Sequence, residues 1–156
     1  MIRLVEKSPD DLARWLPTNW ELYRQDLIAA GVSVGEAQSN VEHHRSKLFV
    51  DGRPAPGQHI LDVWNDEDKI GSLWLSQQEE GRSSEWFVYD IVVDDVFRGR
   101  GFGRLGMAAA EEFVRDRGGT KLGLSVFGFN TVARYLYESM DYKIVSVSMV
   151  KEWDDV

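Results

Sequence analysis

Residues 89–106 read YDIVVDDVFRGRGFGRLG. An apolar run ending at Val93 passes within a few residues into glycines alternating with arginines, and the apolar spacing beyond them is helical. A strand, a glycine turn and a helix in that order limit the fold to a few layered architectures. Gly101, Gly103 and Gly106 also spell the G-x-G-x-x-G of a dinucleotide site. That site needs an acidic residue about 20 positions on, at the end of the next strand, to hold a ribose. The next strand here ends SVFGFN, with no acid before Glu138, and three antiparallel-looking strands precede the motif. A kinase-type glycine loop fails as well, because no V-A-I-K strand follows.

What survives is physical. The helix opening near Gly103 has no Ser, Thr, Asp or Asn cap in the adjoining loop, so its first-turn N–H groups are free at the positive end of the helix dipole. Gly99, Gly101 and Gly103 let the backbone approach a ligand closely. Arg98, Arg100 and Arg104 place three positive charges within seven residues of an otherwise acidic chain. These features describe an anion site suited to phosphate or pyrophosphate, held by residues 98–104 with Phe102 among them.

Working outward, residues 2–6 read as a strand and 10–30 as a helix, with Pro17 as a break or kink and Gly31 as its end. Ser33 and Glu36 form a capping box for a helix reaching about Phe49. Residues 51–57 (DGRPAPG) read as a loop, and 59–64 with 69–76 as an antiparallel hairpin. Residues 85–93 form a third, longer strand. After the glycine turn come a helix stopped by Gly118 and Gly119, a strand at 121–127, a helix through Val132–Met140, and a closing strand at 142–153. The expected fold class is mixed α/β (α+β), a single domain spanning 1–156.

The bulk properties narrow the function classes. The 156 residues include no cysteine, which excludes disulfides and thiolate metal sites. His43 and His44 are adjacent rather than four apart and His59 stands alone, so no metal is expected. A net charge of −8 argues against a nucleic-acid partner and allows acidic walls that attract a cationic substrate. The absence of an apolar leader or membrane-length segment leads to an expectation of a cytoplasmic protein with no membrane partner.

The stretch VDDVFRGRGFGRLGMAAAEEF resembles the acetyl-CoA pyrophosphate motif of the GNAT superfamily of N-acetyltransferases, Arg/Gln-x-x-Gly-x-Gly/Ala, through Arg98, Gly101 and Gly103. The proline often found three residues before that arginine is Asp95 here. SVFGFNTVARYLYESMDYKI resembles the family's Asn-x-x-Ala-x-x-Leu-Tyr block, carried by Asn130, Ala133, Leu136 and Tyr137, with Asp141-Tyr142 where Gly-Phe is usual.

The resemblance implies a mostly antiparallel sheet flanked by helices, whose central parallel strands, 85–93 and 121–127, splay apart. It implies acetyl-CoA as co-substrate, its pantetheine arm pairing with the backbone of Ile91, Val92 and Val93 and its pyrophosphate on the amides of Arg98, Gly99, Arg100, Gly101, Phe102, Gly103 and Arg104. Asn130 would hydrogen-bond the arm, or serve as a helix N-cap, or both. Tyr137 would protonate or hydrogen-bond the departing thiolate, although a tyrosine on an apolar helical stripe is also ordinary core.

An amine of pKa ~10 is neutral about once per thousand molecules at pH 7, so a base is needed. Asp90, mid-strand among apolar residues, is the candidate if burial raises its pKa, the alternative being an ion pair with an arginine or hydrogen bonds from backbone amides. Glu85 is the fallback and a water chain the third option. Trp15, Trp20, Tyr23 and Asp26 are candidates for the acceptor pocket, with core packing the alternative for the tryptophans. Without a thiol carrier, transfer is expected to be direct, in a ternary complex. The acceptor is a small-molecule or peptide amine. A non-catalytic acyl-CoA sensor of the same fold is the competing reading. A homodimer is left open, since oligomeric state has no signature in the sequence.

Overall fold

A computed structural model describes residues 1–79 and 81–154. The chain runs β1 (Ile2–Glu6), α1 (Pro9–Ala29), α2 (Val34–Leu48), β2 (Phe49–Val50), β3 (Arg53–Pro54), β4 (Gln58–Asn65), β5 (Asp68–Gln77), β6 (Glu85–Val93), α3 (Phe102–Asp116), β7 (Lys121–Leu124) and α4 (Thr131–Ser139). Both long N-terminal helices start on serine caps: Ser8 Oγ accepts from the Asp11 amide and Ser33 Oγ from the Glu36 amide, each at 3.2 Å. Pro9 occupies the start of α1, where no N–H is needed. Of the break or kink expected at Pro17, the break does not occur, and α1 runs through the proline for 21 residues in all. Leu12 before the proline and Trp20 after it are both buried, so packing on each side holds the helix across the lost hydrogen bond.

One five-stranded sheet has the order β1-β4-β5-β6-β7. Its pairings are antiparallel except β6 with β7, which is parallel. Alternation along the strands sends apolar side chains to both faces. Leu61, Val63, Leu73, Leu75, Trp86 and Val88 pack on one side with Met107, Ala110 and Val114 of α3. Ile60 and Trp74 meet Leu12, Trp20 and Val41 of α1 and α2 on the other. On that second face Lys7 and Asp62 form an ion pair at 2.5 Å with side chains only 5% and 8% exposed, and the Lys7 ammonium lies 5.2 Å from the Trp15 ring.

Three expectations are corrected. The 51–57 loop begins inside a small hairpin, β2 with β3, turning on Asp51 and Gly52, both at positive φ. The strand expected at 121–127 covers only 121–124, because its partner β6 turns aside at Tyr89 and pairing ends at Val88 with Leu124. The closing strand expected at 142–153 does not form: among the described residues, 143–154 make no backbone hydrogen bond. The alternation in VSVSM (145–149) suits a strand, but one chain does not bring it a neighbour to pair with.

Candidate active site

The site starts from a defect in the ladder. Between β5 and β6 the register shifts: Trp74 opposes Asp90 and Leu75 opposes Val88, which leaves Tyr89 as an extra residue. The bulge resets the strand's parity. Trp86 and Val88 before it face α3, and so do Ile91 and Val93 after it, which leaves Tyr89 and Asp90 together on the α1 side. The Tyr89 ring lies 5.1 Å from Trp74 and 6.4 Å from His44. Asp90 meets α1, where the side-chain amide of Asn19 donates to its Oδ2.

Among the described residues no arginine or lysine pairs with Asp90. Burial raises its carboxyl above the ordinary 3.8, and the Asp26 charge adds to the rise, while hydrogen bonds from Asn19 and the Ile91 amide act against it. Asp26 is itself pushed up by burial. Sequence reading missed Asn19, although the signal was present: it falls on the apolar stripe of α1, seven residues after Leu12 and four before Tyr23.

β6 pairs with β7 only through Val88, so beyond that point its side toward β7 has no strand partner among the described residues. Ile91, Val92 and Val93 border this gap. Tyr137 is half-buried against the α3-side core, and its hydroxyl makes no hydrogen bond among the described residues. Burial raises its pKa above 10.0, and the Asp90 charge adds to that. Asp90 itself lies two residues beyond the last β6–β7 pair, Val88 with Leu124. Glu85 is not brought there. It sits at the other end of β6, opposite Lys121, whose Nζ is 3.9 Å from its Oε1; five residues of strand amount to roughly 17 Å.

The glycine turn follows the end of β6. Gly101 is the N-cap of α3 at φ 83, with no side-chain cap, and Gly99 also has positive φ, 74. The first α3 hydrogen bond runs from the Leu105 amide to Gly101 O at 3.2 Å. Among the described residues the amides of Gly99, Arg100, Gly101, Phe102, Gly103 and Arg104 have no acceptor. The Arg98 amide differs, because it donates to Asp95 O at 3.2 Å.

The arginine side chains fasten the turn itself. Arg98 Nε donates to Val93 O at 2.9 Å and its Nη1 pairs with Asp95 at 2.9 Å. The Arg100 guanidinium lies 5.3 Å from the Phe102 ring. Arg104 Nη2 donates to Ser139 Oγ at 2.6 Å, tying α3 to α4. Gly103 has a packing role too, since a Cβ there would stand 3.2 Å from Leu136 Cδ2.

Asn130 caps α4, its Oδ1 accepting from the Ala133 amide at 3.2 Å, while its Nδ2 has no acceptor among the described residues. Trp20 is core; Trp15 packs 6.3 Å from Trp74, and Tyr23 is 5.8 Å from His44. The adjacent His43 and His44 hold their ring centroids 5.7 Å apart. No group of three metal-ligating side chains occurs among the described residues, and no helix there is long and apolar enough to cross a membrane.

This geometry has close relatives. The chain is 29% identical over 153 residues to YycN of Bacillus subtilis strain 168, called an uncharacterized N-acetyltransferase, covering 97% of this chain and 98% of that protein. The crystal structure of YycN matches with a TM-score of 0.90 over 99% of this chain and all of that chain, at 28% identity. YdgE, named likewise from the same organism, is 28% identical over 130 residues, 83% of each protein. At 14% identity, AAC(6')-Iy in complex with the bisubstrate analog CoA-S-monomethyl-acetylneamine has the same fold, with a TM-score of 0.56 over 99% of each chain. The acetyltransferase (GNAT) family profile matches residues 13–142, a span that takes in Asn19, Asp90, the glycine turn and Tyr137 together. The chain belongs to the acetyltransferase (GNAT) family.

Proposed function

We propose that the protein moves an acetyl group from acetyl-CoA to a primary amine of a small molecule or peptide, directly and in a ternary complex. One observation carries this reading: Asp90, held by Asn19, sits on β6 two residues past its last pair with β7, Val88 with Leu124. Ligands of parallel strands gather at such carboxyl ends. The residues present fit the co-substrate. Free amides of 99–104 at an uncapped helix start suit its pyrophosphate, the open edge at Ile91–Val93 suits its amide-bearing arm, and Asn130 Nδ2 is a spare donor near the same end. The arginines act by shaping the turn, with Arg100 and Arg104 adding positive potential.

The chemistry then divides between two side chains. Asp90 accepts a proton from the amine as its nitrogen bonds to the thioester carbon. A carboxylate whose pKa burial has raised above the ordinary 3.8 is a stronger base than an exposed one. As the carbon–sulfur bond breaks, the thiolate leaves with the bond's electron pair. Tyr137, kept neutral by its raised pKa, gives its phenol proton to that sulfur to complete the thiol, and the proton taken up by Asp90 is released to solvent, from which the tyrosinate is reprotonated. Glu85 lies too far down β6 to share this work.

The names of YycN and YdgE and the bisubstrate ligand of AAC(6')-Iy support the reading. The test is release of free thiol from acetyl-CoA across a panel of amines. We expect release with at least one amine and intersecting initial-velocity lines. Parallel lines would exclude direct transfer. Acetyl-CoA binding with no release over the whole panel would make the domain a sensor.

A further inference from the structure

The bulge that turns Asp90 toward α1 delivers Tyr89 to the same side, and three rings meet there. His44 of α2 stands edge-on to both of its neighbours, its ring centroid 5.8 Å from that of Tyr23 on α1 and 6.4 Å from that of Tyr89 on β6. Tyr23 lies one helical turn past Asn19, the residue that holds Asp90. The rings therefore stand beside the carboxylate assigned to the amine, one from each of the three elements around it.

Their polar heads are unused. His44 Nδ1 lies 2.8 Å from Asn40 O. A carbonyl oxygen only accepts, so Nδ1 carries the proton and, in the neutral ring, Nε2 keeps a lone pair. Among the described residues that lone pair meets no donor, and neither the Tyr23 nor the Tyr89 hydroxyl makes a hydrogen bond. Tyr23 and His44 are half-buried, and Tyr89 is 37% exposed. Among the described residues Trp86 Nε1 is the one sealed side-chain polar atom without a partner, so the heads of Tyr23 and His44 are within reach of a ligand entering from solvent. Burial raises the pKa of both phenols above 10.0, with Tyr89 adding to the rise at Tyr23, so both stay neutral and can donate or accept. His44 Nε2 differs from them, because in this tautomer it only accepts.

We infer that His44 is a specificity-determining residue of the acceptor site: its Nε2 accepts a hydrogen bond from a second donor, hydroxyl or ammonium, carried by the amine whose nitrogen meets Asp90. This rests on the transferase reading above and adds the class of acceptor, a short amine with a donor group further along its chain. Tyr23 and Tyr89 hold the imidazole from two sides and offer ring surfaces to the chain between the two groups. When the acceptor displaces water from Nε2, a plain alkylamine leaves that lone pair without a donor, and the site discriminates against it for that reason.

The test compares thiol release at pH 8 for propyl-, butyl- and pentylamine with the amino alcohols and diamines of the same chain lengths, which distinguish a hydroxyl from an ammonium donor. Wild type should favour at least one donor-bearing amine over its plain counterpart by at least 10-fold in kcat/KM. His44→Phe keeps a ring for the edge-on contacts and removes the acceptor. It should abolish that preference through KM for the amine, with kcat and KM for acetyl-CoA within about twofold of wild type. His44→Gln restores an accepting oxygen and should recover part of the preference. The 15N shifts of His44 give a readout independent of turnover: Nδ1 should be protonated and Nε2 bare, and the Nε2 resonance should move when the favoured amine binds but not with its plain counterpart. If His44→Phe fails to fold, the wild-type preference and the nitrogen shifts still decide the matter. Release without a preference, a preference that survives in His44→Phe, or an Nε2 that carries the proton overturns this inference and leaves the transferase reading standing. No release with any amine removes both.

Discussion

Asp90 carries opposing effects on folding and on chemistry. Burial and the Asp26 charge raise its pKa, so its ionised form weighs against the fold at neutral pH. For a carboxyl raised in the folded state, that penalty is full above the folded pKa and vanishes once pH falls below the unfolded value, near 3.8. Asp90→Asn should therefore raise Tm at pH 7, with the gain shrinking as pH approaches 3.8. A Tm that falls, or a gain independent of pH, would contradict the burial argument. The same variant should lose roughly 10²–10⁴ in kcat/KM, the usual range for a general base, and with it the low-pH limb of the rate profile. Tyr137→Phe keeps the packing and removes only the donor. Its kcat should drop about 10- to 100-fold with acetyl-CoA affinity nearly unchanged, and full rate in that variant would leave the tyrosine a core residue. The candidate residues were partly legible at this scale. Asp90 and Tyr137 stood out as a polar group in an apolar strand and a phenol on a motif, whereas Asn19, a polar residue on the apolar stripe of α1, could not be joined to a partner 71 positions away.

At the scale of elements, β6 is positioned by its neighbours' lack of side chains. A Cβ on Gly71 would stand 2.0 Å from Val92 O, a backbone atom that cannot yield without moving the strand. Gly71→Ala should cost about 2–3 kcal/mol, as overpacking does, lowering Tm by roughly 4–12 °C, and should raise KM for acetyl-CoA as residues 91–93 shift. Unchanged thermal stability would refute that clash. Gly101 poses the complementary case, since a Cβ there meets nothing within 4 Å and only its φ of 83 resists substitution. Gly101→Ala should cost about 1–2 kcal/mol and weaken acetyl-CoA binding, read by calorimetry, because the turn's amides rotate. Equal affinity would dissociate the turn from the co-substrate. Element types were readable from periodicity and caps. Their ends were less so: β7 stops at 124 because β6 bulges at Tyr89, and no local pattern in WFVYDIVV announces which residue is extra.

Across the whole molecule, charge is the relevant quantity. A net charge of −8 produces a field that draws cations and opposes anions, and salt screens it within about 10 Å at 0.1 M. If the acceptor is a cationic amine, kcat/KM for it should fall several-fold between 20 and 500 mM NaCl while that for acetyl-CoA holds or rises. A flat acceptor profile would show that the acidity serves solubility alone. The sequence by itself determined the element order, the serine caps, the uncapped glycine turn and the family motifs. Each of these depends on residues a few positions apart, where local sterics and hydrogen bonding act. Only the tertiary structure decided that Asn19 grips Asp90, that the arginines brace the turn, that Glu85 is remote and that 142–153 lacks a partner. Those outcomes turn on which surfaces distant segments bring together, and packing between segments 35 to 71 residues apart leaves no periodic trace in the chain.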